Sequence, residues 1–242
     1  MQYMQEKHVP NVTMDNIFTG NGVSELINLS MLALLDNGDE VLIPQPSYVS
    51  YEPCTILADG KPVVIPLKNE NEFRLKPEEL QAAITPRSKI LVLPYPNNPT
   101  GAVMEKEDLE AIADIIIEND LYVLSDEIYG ELTYSGSHVS IASLPGMKER
   151  TVLVNGFSKA YAMTGWRIGY AAARSDITKG IIAIQSQTTS CANSIAQKAA
   201  LAALEGPQGD VSAMVSAFKE RRDYVHSRLN AMEGILCPKP HG

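Results

Sequence analysis

Lys159 closes the segment Asn155-Gly156-Phe157-Ser158-Lys159, directly after the apolar run Thr151-Val152-Leu153-Val154, and Arg167 follows in the same stretch. A lysine at the mouth of a buried α/β sheet reads as a Schiff-base nucleophile, because partial desolvation and nearby positive charge disfavour its ammonium form. Arg167 supplies such a charge and can hold an anion. Taken alone, a lysine at a strand end is a structural, solvated residue; its companions change that reading.

Asp126, in Ser125-Asp126-Glu127-Ile128-Tyr129, follows the run Leu121-Tyr122-Val123-Leu124 and so stands at a strand's carboxyl end, where open α/β sheets bind ligands. A carboxylate there can keep a ring nitrogen protonated, as an electron-sink cofactor requires. Tyr129, just beyond, can hydrogen-bond a phenolate oxygen. Without these neighbours Asp126 and Glu127 read as a helix cap and a first-turn acid. Pro96-Asn97-Asn98-Pro99-Thr100-Gly101 is a rigid turn that can aim the Asn98 amide at the same cleft. Thr19-Gly20-Asn21-Gly22-Val23-Ser24-Glu25 is a glycine-rich turn entering a helix, where backbone N–H groups and the helix dipole suit a phosphate. It lacks both the dinucleotide fingerprint and the ending of a nucleotide P-loop. Tyr48 follows another strand and can stack on a planar ring, whereas Tyr51 reads as packing and Trp166 as a core wedge.

These residues need a scaffold that delivers them to one edge. Short β-branched runs at Glu40 to Pro44, Pro62 to Leu67, Lys89 to Leu93, Leu121 to Ser125, Thr151 to Asn155 and Ile168 to Ala173 read as strands. Most are apolar on both faces, which predicts a largely parallel sheet covered by helices on each side. Helical patterns run over Ser24 to Leu35, Pro77 to Ile84, Lys106 to Asn119, Asp176 to Gln187, Ser194 to Leu204 and Asp210 to Leu229.

The 242 residues carry a net charge of −9 without long like-charge blocks, which argues against nucleic acid or an anionic membrane as a main partner. Cys54, Cys191 and Cys237 are widely spaced and lack Cys-x-x-Cys or His pairing, so neither a disulfide framework nor a metal site is expected. Met1 to His8 has no apolar signal core and no window has the apolar length of a membrane span; a cytoplasmic setting is expected.

In chain order, Asn-Asn-Pro-Thr-Gly at 97–101, Asp-Glu-Ile-Tyr at 126–129 and Ser-Lys-x-x-x-x-x-Gly-Trp-Arg-x-Gly at 158–169 resemble the fold-type I pyridoxal-phosphate enzymes. The likeness is to the class I/II aminotransferases of the aspartate and alanine aminotransferase group, and Gly20 to Ile27 is most similar to the alanine branch. The resemblance implies a three-layer α-β-α large domain with a mostly parallel seven-stranded sheet over residues 1–229. Residues 230–242 would begin a truncated C-terminal small domain. It implies pyridoxal 5'-phosphate joined to Lys159, with Asp126 at the pyridinium nitrogen, Asn98 and Tyr129 at the ring oxygen and Tyr48 stacked on the ring. Arg167 and the backbone of Gly22, Val23 and Ser24 would hold the phosphate. Lys159 and Asp126 are the implied catalytic residues, an amino acid and a 2-oxo acid the substrates, and a homodimer the assembly. Gly156 departs from the pattern, since several relatives carry a phosphate-binding serine there, and Ser158 is a weak substitute. The family's N-terminal segment is expected before Met1, and the arginine for the substrate's α-carboxylate after Gly242. A β-eliminating lyase of the cystathionine β-lyase kind, and the cofactor-sensing domain of a transcription regulator, share the fold and stand as alternatives.

Overall fold

Side chains on a strand point alternately to opposite faces, and on the central strands both sets are buried. On one strand Ile90 and Val92 enter one apolar cluster while Leu91 and Leu93 enter another. On its neighbour Val41 and Ile43 divide from Leu42 in the same way. A sheet apolar on both sides must be covered on both sides. The computed structural model of the chain describes Met4, Gln5, Val9 and residues 11–242; residues 1–3, 6–8 and 10, within and beside the N-terminal stretch read above, lie outside that description.

The strands among the described residues are β1 (Ile17–Gly20), β2 (Glu40–Gln45), β3 (Lys61–Pro66), β4 (Ser88–Leu93), β5 (Tyr122–Asp126), β6 (Thr151–Gly156) and β7 (Gly169–Ala172). They form a 7-stranded sheet in the order β1-β7-β6-β5-β4-β2-β3. β2, β3, β4, β5 and β6 run parallel, and β7 is antiparallel to both β6 and β1. The α-helices bounded on both sides by described residues are α1 (Val23–Leu34), α2 (Tyr51–Leu57), α3 (Pro77–Ala83), α4 (Lys106–Glu118), α5 (Ser175–Thr188), α6 (Ser194–Glu205) and α7 (Gly209–Asn230). α1, α2 and α5 bury Leu26, Ile27, Tyr51, Ile177 and Ile181 against one face, and α3 and α4 bury Leu80, Leu109, Ile112 and Ile116 against the other. Each fully buried Leu or Ile is worth roughly 1.5–3 kcal/mol, so the two clusters fix the three layers.

Prolines fall where the ladder does not need their missing N–H. β3 is an edge strand and carries Pro62 and Pro66. Pro44 lies past Leu42, the last residue of β2 in register with β4. α3 begins with Pro77 at its first position, where the backbone N–H has no intrahelical partner. The α6 start is capped by Asn193, whose side chain accepts from the N–H groups of Ile195 and Ala196.

β2 is followed outward by β3, while β4 to β6 extend in the other direction. The chain therefore reverses its winding between β2 and β4, and the crevice at their carboxyl ends is where such a sheet receives a ligand. After α7, which has no buried residue, the chain returns to the turn behind β4: His241 N and Gly242 N donate to Gly101 O at 2.8 and 3.0 Å. Trp166 differs from its reading as a core wedge. It is 48% exposed, because it lies on a 3-10 turn, Thr164–Trp166, with no buried residue.

Candidate active site at the strand ends

Six chain segments converge at one end of the sheet. Asp126 ends β5, Lys159 follows β6, Asn98 follows β4, Tyr48 follows β2, and Val23 and Ser24 open α1 just past β1. Arg167 precedes β7, which runs the other way and so starts where its neighbours finish. Together with Tyr129 these side chains and helix residues line one cavity of about 220 Å³. A second cavity of about 760 Å³ adjoins it, sharing Pro96, Asn98, Tyr129, Ser158, Lys159 and Thr164.

Asp126 is 5% exposed. Its Oδ2 accepts from the Tyr51 hydroxyl at 2.8 Å and its Oδ1 from Ile128 N at 3.2 Å. Burial pushes the carboxyl up to about 6, against those two hydrogen bonds and the charge of Lys159. Tyr51 is itself buried, and that burial with the Asp126 charge holds its hydroxyl well above the ordinary tyrosine value. It therefore stays a donor. The reading of Tyr51 as packing was half of the answer: the ring packs edge-on to Tyr48, centroids 5.8 Å apart, and the hydroxyl serves the carboxylate. No long helix follows Asp126, only a 3-10 turn at Gly130–Leu132, so the helix-cap alternative does not hold.

Glu127 points away from this cavity. Its carboxylate accepts from Ser125 and Ser140 hydroxyls at 2.9 and 2.7 Å and meets His138 Nε2 at 2.8 Å. Neighbours in sequence thus have separate surroundings, as alternation along a strand end requires.

Around the lysine, Lys159 Nζ lies over the Tyr129 ring, 5.4 Å from its centroid. Asn98 Nδ2 donates to the Tyr129 hydroxyl at 3.5 Å. Hydrogen bonds with Ser50 and then Ser24 hold the Tyr48 hydroxyl below the usual tyrosine range.

The anion side is built on close backbone approach. Arg167 donates from Nη1 to Thr164 O at 2.9 Å and from Nη2 to Asn21 O at 3.2 Å. Gly22 does not line the cavity; it has φ +88°, and a Cβ there would stand 2.6 Å from Arg167 Nη2. Behind it, Gly20, Gly169 and Gly156 lie in register across β1, β7 and β6. A Cβ on Gly169 would stand 3.1 Å from both Gly22 C and Val23 N, so the turn rests directly on the sheet. Gly156, the departure from the family pattern, faces β7 closely: its Cβ would be 3.0 Å from the Gly169 Cα.

Sequence reasoning passed over Thr164, which lines both cavities, and Glu25, which binds the Asn21 backbone N–H at 2.6 Å. Glu25 was visible as a first-turn acid after the glycines, but its other partners, Gln185 and Thr189, come from α5 and its end. Among the described residues no group of His, Cys, Asp and Glu stands together as a metal site, and no helix is long and apolar enough to cross a membrane.

An α/β sheet presenting a lysine, a buried carboxylate and an arginine-backed glycine turn at its strand ends defines a class of cofactor-handling enzymes. The family model "Aminotransferase class I and II" matches residues 1–242. The chain belongs to that family. It is 47% identical over 245 residues to an aspartate aminotransferase of Pinus pinaster, covering 99% of this chain and 50% of that protein. It is 45% identical to aromatic-amino-acid aminotransferase 2 of Thermococcus litoralis, covering 91% of this chain and 57% of that protein. The solved structure of the aspartate aminotransferase from Rhizobium meliloti superposes with a TM-score of 0.97 at 39% identity, over 100% of this chain and 61% of that one. The chain thus spans between half and two thirds of the length of these relatives.

Proposed function

We propose that this chain is the cofactor-binding part of an aminotransferase that moves an amino group from an amino acid to a 2-oxo acid, in amino-acid metabolism. Residues 1–229 are the cofactor-binding domain and 230–242 lead into a second domain; the working assembly is a homodimer in the cytoplasm. The observation that carries the reading is the convergence of Lys159, Asp126 and Arg167, from three strand ends, on one cavity.

Pyridoxal 5'-phosphate is the cofactor, and the donor set suits it. A buried carboxylate with its pKa raised to about 6 calls for a cationic partner, which a protonated ring nitrogen supplies. The Gly22 turn, the first N–H groups of α1 and Arg167 form a cradle for a dianion. Bound there, the cofactor supplies an electron sink for carbanion charge at the substrate Cα. Lys159 would hold it covalently, and its Nζ is the group placed to hold or move a proton at the substrate Cα. Asp126 would pair with the cofactor's ring nitrogen and hold the proton there, and Tyr51 keeps Asp126 oriented. Asn98 and Tyr129 would bind a ring oxygen, Tyr48 would cover the ring, and Arg167 with the backbone of Val23 and Ser24 would hold the phosphate, Gly22 supplying the turn that brings them together.

The test is the absorbance spectrum on adding pyridoxal phosphate. The wild-type chain gains a near-ultraviolet or visible band that Lys159→Ala lacks. Identical spectra for the two proteins would remove Lys159 from the reading.

A further inference from the structure

The glycine turn before α1 closes on its own Gly22 N to Gly20 O hydrogen bond at 2.8 Å and is tied from outside as well. Glu25, in the first turn of α1, accepts from Asn21 N at 2.6 Å and from Asn21 Nδ2 at 3.2 and 3.1 Å. It also accepts from Gln185 Nε2 at 3.2 Å and from Thr189 Oγ1 at 2.5 Å. Hydrogens from an amide N–H, two amide NH₂ groups and a hydroxyl all arrive at one carboxylate, so the site is matched to an acceptor-only group. Burial opposes the Glu25 charge, yet the bonds from Thr189, Asn21 and Gln185 outweigh it and hold the carboxyl below its ordinary range.

These contacts tie the turn to two other elements. Gln185, 5% exposed, also donates to Thr19 O on β1 at 2.9 Å, and Thr189 sits at the end of α5. On the far side of the turn, Asn21 O accepts from Arg167 Nη2 at 3.2 Å. A continuous path of hydrogen bonds therefore runs from α5 through Glu25 and Asn21 to the Arg167 guanidinium. The backbone is bare where the carboxylate passes: a Cβ on Gly20 would stand 2.8 Å from Glu25 Oε2. Glu25 does not line the 220 Å³ cavity, so it acts through its neighbours.

We propose that Glu25 is a positioning residue for the phosphate cradle. It captures the Asn21 N–H and side chain, fixes the Asn21 carbonyl against Arg167, and leaves the first N–H groups of α1 for the anion. The proposal rests on the cavity being the pyridoxal-phosphate site, and its own signature is selectivity for the phosphate group.

The experiment titrates the 242-residue apo chain with pyridoxal phosphate and, separately, with pyridoxal, following the Lys159-dependent absorbance. Glu25→Gln puts an amide donor among donors and is expected to weaken pyridoxal phosphate about tenfold, the scale of a charge-assisted hydrogen bond. Pyridoxal, which has no phosphate, keeps its affinity. Thr189→Val removes one donor at an exposed helix end and lowers the same ratio by about threefold. An equal loss for both compounds marks a residue that only stabilises the fold and overturns the proposal, as does no loss for either. Should Glu25→Gln fail to fold, Thr189→Val carries the test, and an unchanged ratio overturns it. A wild-type chain that responds to neither compound overturns the cofactor reading and this proposal with it. A wild type that prefers the phosphate compound, with both variants keeping that preference, overturns the Glu25 role alone.

Discussion

Replacing Asp126 by Asn should stabilise the chain without cofactor while weakening its hold on the cofactor, and the size of the first effect can be worked from the structure. The Asp126 carboxyl is pushed from an ordinary 3.8 up to about 6 by burial. Each pK unit is worth about 1.36 kcal/mol of difference between the two protonation states, so an ionised Asp126 costs the folded chain about 3 kcal/mol. Below about pH 4 folded and unfolded chains both keep the proton, and the penalty is absent. From there to about pH 6 the folded chain holds a proton that the unfolded chain has released, so stability falls as pH rises; above about 6 the whole penalty stands. Asp126→Asn keeps the shape and removes the titration. Urea unfolding of both apo proteins between pH 4 and 8 should show nearly equal stability at the acid end and an advantage of about 3 kcal/mol for the variant at the other. Pyridoxal phosphate at about a hundredfold its Kd adds roughly 2.7 kcal/mol to wild type, and the variant, without the anionic partner, forgoes most of it. A stability difference that stays flat across the pH range, or a wild type that is the more stable apo protein at pH 7.5, would refute the argument.

Other outcomes follow from the same contacts. Tyr51→Phe deletes the 2.8 Å hydrogen bond to Asp126 Oδ2, so the Asp126 titration should move above about 6; carbon-13 NMR of labelled aspartate reads this, and an unmoved curve contradicts it. Gly22→Ala sets a Cβ 2.6 Å from Arg167 Nη2 on a residue at φ +88°. It should lose about 1–3 kcal/mol in urea unfolding and bind pyridoxal phosphate more weakly, and retention of both properties would count against the cradle.

Much of the scaffold is legible in local pattern because doubly buried strands are continuous apolar runs. Lys89 to Leu93 and Thr151 to Asn155 read correctly to within a residue of β4 and β6. β1 and α2 were not read. Only Phe18 and Gly20 are buried in β1, and the strand exists through its pairing with β7, a contact no local window contains. α2 is 7 residues long and holds Pro53 and the β-branched Thr55 and Ile56, which mask a helical period. The same division holds at the site. Lys159, Asp126 and Asn98 announce themselves by following strands, whereas Tyr51 and Glu25 matter through partners distant in sequence, Asp126 for one and Gln185 and Thr189 for the other.

The seam between β1 and β7 also dictates when the anion site comes into being. Asn16 Nδ2 donates to Ala173 O across 157 residues of chain, and β1 carries the Gly22 turn while β7 is preceded by Arg167. Closing so long a loop is slow and entropically unfavourable until the intervening sheet exists, so the two halves of the phosphate cradle meet late in folding. The cofactor then has nothing to grip in the early chain. Its stabilisation should appear almost wholly as slower unfolding, with the refolding rate in stopped-flow experiments unchanged by pyridoxal phosphate; faster refolding would mean that the cradle assembles before the sheet that carries it.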